Sequence, residues 1–125
     1  MIETHIYSAL SSSQAITDIA GTNIFPLVLP DSPTLPAITY QIISAMARPT
    51  FNTSGMTRYR VQIDCWSSQA QGYAAASALR DAVIATLNGY SDQYMTAYLN
   101  TYLDRFEQDL LQYRCIAEFF VLSNL

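Results

Sequence analysis

The chain has 125 residues, half of them hydrophobic, and only 13% are charged, about half of the usual quarter. That length makes one domain, residues 1–125, which buries roughly two-thirds of the surface its unfolded chain would expose and needs neither disulfide nor metal to hold a core. A net charge of −4 excludes a general phosphate-gripping surface and leaves only a local basic patch around Arg58 and Arg60.

Residues 2–11 place Ile2, Ile6 and Leu10 at helical spacing, with Glu3 in the first turn where a carboxylate suits the helix dipole. "SSSQAITDIAG" reads as a cap and a short second helix that ends at Gly21. "NIFPLVLPDSPTLP" holds four of the five prolines and is expected to be extended and irregular. In "AITYQIISAMA" Ile38, Tyr40 and Ile42 alternate with Thr39 and Gln41, and "RPTFNTSG" breaks the strand as a turn-rich loop. "TRYRVQIDCW" is the clearest strand: Tyr59, Val61, Ile63 and Cys65 point one way, and Arg58, Arg60, Gln62 and Asp64 the other.

Ser67 or Ser68 is expected to cap the alanine-rich helix that follows, and Gly89 to end it. Ala76, Leu79, Val83 and Leu87 form its apolar stripe. "MTAYLNTYL" and "QYRCIAEFFVL" are two further strands joined by "DRFEQDL"; in the second, Tyr113, Cys115, Ala117, Phe119 and Val121 share a face. The order of elements predicts an α+β fold, a four-stranded antiparallel sheet with helices packed on one face.

No run approaches the ~20 apolar residues of a membrane span, and "MIETHIYSAL" has neither the basic start nor the apolar stretch of a signal peptide. The chain is therefore expected in the cytosol, with Cys65 and Cys115 reduced. Cys65 falls on an apolar alternating face, which predicts an inert core thiol. A Cys–His hydrolase would need His5, the one histidine, brought to it from the first helix together with an orienting group. Two cysteines and one histidine fit no zinc pattern, and the scattered glycines make no phosphate loop, so no cofactor is expected. Asp104, Glu107 and Asp109 gather around Arg105; they suit a cation site, an interface patch or a solvated acidic turn, of which the last is the ordinary outcome.

Contact surfaces remain. Nine tyrosines, and arginine as the only cation, match the composition of protein interfaces and equally a tyrosine-rich core. Trp66, Ile116 and Phe120 fall on the polar side of their strands, where another subunit or the proline-rich segment must cover them. Two loops stand out as partner contacts: residues 47–57 with Arg48, Phe51 and Met56, and "DRFEQDLLQ" with Arg105, Glu107 and Asp109. Arg58, Arg60, Trp66 and Phe120 complete the candidate interface residues.

"IFPLVLPDSPTLPAITYQIIS", "RYRVQIDCWSSQAQGYAAASALRDAVIATLNGY" and "LDRFEQDLLQYRCIAEFFVL", in that order, resemble the tail-completion or tail-terminator family of long-tailed bacteriophages over nearly the whole chain. The resemblance implies structural work without catalytic residues. It implies a ring of identical subunits, a hexamer, at the head-proximal end of the tail tube, assembled in the host cytoplasm. Such a ring ends tube growth, joins the tube protein to the head–tail connector or stopper, and lets DNA pass without specific binding. A connector or stopper of similar size and ring habit is the alternative. "DQYMTAYLNTYLDR" departs from the expected pattern, which bears on the choice of tube and connector partners.

Overall fold

The computed structural model describes residues 1–50 and 53–124. Phe51 therefore lies outside the described residues, as does the side chain of Arg48. The elements run α1 (Ile2–Ser11), α2 (Gln14–Ala20), β1 (Ile24–Pro26), β2 (Ala37–Thr50), β3 (Thr53–Ser68), α3 (Tyr73–Leu87), β4 (Met95–Glu107) and β5 (Gln112–Ser123). The sheet has five strands in the order β1-β2-β3-β5-β4. β1 runs parallel to β2, and every other pairing is antiparallel.

The expected four-stranded antiparallel sheet is thus a five-stranded mixed one of the same α+β class. The added strand comes from "IFP", which the prolines conceal. It is three residues long, and its proline closes it on the sheet edge, where a missing N–H costs no ladder bond.

Helix starts follow local chemistry. The Ser13 hydroxyl accepts from Ile16 N and caps α2, and Gly21 ends it at φ 60°, a conformation glycine adopts without strain. Neither Ser67 nor Ser68 caps α3. β3 runs on through both, and the helix begins only after Gly72, at φ 85°. The serines organise the corner instead: Ser67 Oγ donates to Gly72 O at 2.8 Å, while Ser68 and Gln71 exchange side-chain and backbone bonds.

The core lies between the helices and one face of the sheet. Ile6, Leu10, Ile16, Leu79 and Val83 meet Ile38, Val61, Ile63, Ala117 and Phe119 there, all buried. Alternation along β3 and β5 sends Cys65 and Cys115 to this face, directly opposite one another and both free and buried. Among the described residues the other face of the sheet carries no helix.

Two connections are more regular than their sequences suggest. Residues 47–50 and 53–57 are continuations of β2 and β3, with Ala47 opposite Thr57 and Arg48 opposite Met56. β5 stops at Ser123, opposite Thr57, so the hairpin beyond that point projects from the sheet as a two-stranded arm. β4 likewise runs through Asp104, Arg105 and Glu107, leaving only residues 108–111 as the turn.

Candidate interaction surfaces

The open face of the sheet holds most of the candidate interface residues, in two groups at its two ends. Near the arm, Phe120 stands between Arg60 on β3 and Tyr98 on β4. The Arg58 guanidinium lies 4.6 Å from the centre of the Phe120 ring, and the Tyr98 ring is 5.6 Å away. Arg60 Nε donates to Glu118 at 2.9 Å, and Asn100 donates to the same carboxylate at 3.0 Å. The Arg60 bond holds the Glu118 carboxyl below its ordinary pKa against the opposing effect of burial. Met56 is exposed nearby on the arm. The structure thus brings Arg58, Arg60 and Phe120 together as one partly exposed patch, rich in the residue types that anchor interfaces.

At the far end, Trp66 is buried by its own chain at 9% exposure. Its Nε1 donates to Thr39 Oγ1 at 3.0 Å, and Arg114 lies over its ring at 5.0 Å. Arg114 is held in turn by Asp64 at 2.9 Å and Glu107 at 3.4 Å. The proline-rich residues 27–33 border a groove of about 450 Å³ whose floor includes Trp66 and Arg114. Trp66 is therefore a packing corner, not an exposed contact, and the protein's own loop flanks it. Ile116 is also buried, between Asp64 and Leu103 in the ladder. Arg105 is exposed and reaches Glu107 at 3.4 Å, and Asp109 is exposed in the turn. Asp104 is not part of this group: it faces the helix side, so the expected acidic cluster is divided between the two faces.

That division produces a cluster that the sequence pattern does not announce. Arg80, only 8% exposed, reaches from α3 to bond Asp104 on β4, and Tyr73 donates its hydroxyl to the same carboxylate. Tyr102 offers its ring to the Arg80 guanidinium at 4.9 Å. Burial pushes the Asp104 carboxyl up, but the Arg80 and Tyr73 hydrogen bonds outweigh it and leave the pKa lowered. The available signal was spacing: Arg80 follows Ala76 by four and precedes Val83 by three, which puts it at the edge of the buried stripe.

The cysteines offer no nucleophile. Burial raises the Cys65 pKa well above the ordinary thiol value, and burial with an Asp104 hydrogen bond pushes Cys115 up to about 12. His5 stacks on Tyr94 at 4.0 Å between ring centres. Among the described residues no group of three His, Cys, Asp or Glu side chains is placed to hold a metal. No described helix is long and apolar enough to cross a membrane.

Comparison with known proteins agrees with this plain interior. A chain of a native gene transfer agent virion has the same fold, with a TM-score of 0.70 at 17% identity over 94% of this chain and 90% of that one. No curated protein matches the chain. The sequence profile of the family "Tail completion protein gp17" matches residues 4–119. That match spans nearly the whole chain, from the first helix to the last strand, and so the chain belongs to the phage tail completion protein family, as a structural protein of the tail and not an enzyme.

Proposed function

We propose that this protein forms a ring at the head-proximal end of the tail tube, where it ends tube growth and joins the tail to the head connector. The family match over residues 4–119 carries the reading. The molecule suits it in two further respects. One face of the sheet is open, with an arginine–aromatic patch on it, and long strands leave main-chain groups free at the sheet margins. The chain's acidic balance also suits DNA passage, because each added phosphate contact would tighten grip in a salt-dependent way. Its partners on this reading are further copies of itself, the tube protein on one side and the connector or stopper on the other.

The test is electron microscopy of lysates from a phage whose copy of this gene carries an early stop codon. Overlong or irregular tubes beside unjoined heads are expected. Tails of normal length beside emptied heads would move the protein to the head side of the neck as a stopper. Normal joined particles would remove it from the neck.

A further inference from the structure

We infer that the exposed outer edge of β2 at the base of the projecting arm, residues 43–47, adds in one copy as a strand to the free edge of β4 in the next, and that this ladder is what joins subunits. The inference rests on the ring reading above and names the surfaces that would build it.

The arm lacks support within its own chain. Past Thr57 and Ser123 no third strand accompanies β2 and β3 among the described residues. A lone two-stranded hairpin is marginal in water. β1 occupies the outer edge of β2 only as far as Tyr40, whose carbonyl accepts from Leu27 N. Beyond it, residues 43–47 are exposed and include Ile43 and Met46. This stretch, "ISAMA", has no charge and no proline to protect an edge.

β4 presents a matching edge. Its first half is already engaged from outside: Ala97 N donates to Tyr90 O, and Leu99 N donates to Asn88 Oδ1. From residue 101 to 106 every residue is exposed, Tyr102 at 54% and Leu103 at 48% among them. Among the described residues no hydrogen bond from outside the β4–β5 hairpin reaches that main chain.

The directions and phases agree. β2, β3, β5 and β4 alternate in direction, so β2 and β4 run opposite ways. A neighbour's β2 set beside β4, with its sheet in the same orientation, makes an antiparallel ladder, the more stable kind. Partners of β4 on β5 alternate without a break through Val121, Phe119, Ala117 and Cys115, opposite Ala97, Leu99, Tyr102 and Asp104. Tyr102 and Asp104 therefore turn their main-chain groups outward as Ala97 and Leu99 do. The same counting on β3, through Ile63, Val61, Tyr59 and Thr57, turns Ala45 and Ala47 outward with Tyr40 and Ile42.

The two edges lie at opposite ends of the sheet, so each neighbour is displaced along the strands. Register shifts in β2 between Ile42 and Ser44 and between Arg48 and Thr50, at the two ends of this edge, add the twist this requires. Because the surfaces differ, the contact is head-to-tail, and repeated around an axis it closes a ring.

Two proline variants of the full chain test this, each removing one outward N–H with no loss from the β2–β3 or β4–β5 ladders: Ala45→Pro on the β2 edge and Tyr102→Pro on β4. Native mass spectrometry of concentrated wild-type protein should show closed oligomers, and each variant alone should be monomeric. An equimolar mixture should stop at heterodimers, since each variant retains one intact edge. A wild type that stays monomeric, a variant that assembles normally, or a mixture with no heterodimer overturns the proposal. Met46→Lys and Leu103→Lys, both at exposed positions, decide the matter if a proline variant fails to fold. The tail phenotype of the stop-codon phage is read separately, so a failed ladder and a failed tube-end assignment are distinguishable.

Discussion

Phe119 and Phe120 are consecutive on β5 and face opposite ways. Phe119 is fully buried beneath the helices, whereas Phe120 is half-buried on the open face between Arg58 and Tyr98. The same contrast holds for two arginine–carboxylate pairs. Arg80–Asp104 is roofed by α3 and a tyrosine ring, and Arg60–Glu118 lies on the open face with its arginine nearly half exposed. One face of this sheet holds the domain together. The other uses the same residue types at a surface that folding leaves incompletely covered.

The two phenylalanines sharpen the contrast most. Phe119→Ala should cost about 4 kcal/mol in chemical denaturation, from lost transfer and the cavity left behind. Phe120→Ala should cost about 1 kcal/mol or less, since part of its ring is already in water. Its effect should instead be on joining to a partner, read as infectivity or oligomer yield. Equal destabilisation by the two would show that the open face contributes no less to stability than the covered one.

Next in size comes Arg80. Arg80→Ala leaves the Asp104 carboxylate without its guanidinium, and about 2 kcal/mol is expected, between the values for exposed and buried pairs. Water reaches part of Asp104 and offsets the rest of the loss. Melting temperature should fall clearly, and a variant melting with the wild type would show that the Arg80–Asp104 pair adds nothing to stability. Cys65→Ser is expected to cost about 2 kcal/mol, because it places a hydroxyl among apolar side chains. Function at low temperature should be retained. Loss of function in a fully stable Cys65→Ser protein would return the thiol to consideration.

What the sequence disclosed follows the same division. Period-two alternation in "YRVQIDC" and helical spacing in "AAASALRDAVIATL" are consequences of burial on one side, so the helix-covered face could be read directly. The short parallel β1 could not, because three residues carry no periodicity and the segment's four prolines argue for a loop. The start of α3 lies later than serine's frequent role as a cap suggests, and only the structure reveals β3 running through Ser67 and Ser68. The arm was hidden for a related reason: Pro49, Thr50, Thr53, Ser54 and Gly55 have turn composition, yet a strand already paired with its neighbour can carry such residues outward. On the open face, alternation identified Trp66 and Phe120 correctly as facing outward. It could not distinguish the one that its own chain covers from the one left half exposed, since that depends on Arg114 and a distant proline-rich loop.

The smallest effect concerns Arg60 and Glu118. The Glu118 pKa is depressed in the fold, so the pair's contribution is present above the ordinary carboxylate value of 4.5 and is lost as pH falls through the lower folded value. Arg60 stays charged throughout, because its own pKa is raised. Glu118→Gln should therefore melt slightly below the wild type at neutral pH, and the two curves should converge as the medium becomes acidic. Asp104 loses its stabilising charge in acid too, but it does so equally in both proteins and cancels in the difference. A gap that persists unchanged into acid would mean that Glu118 acts through the shape of its contact with Asn100 and not through its charge.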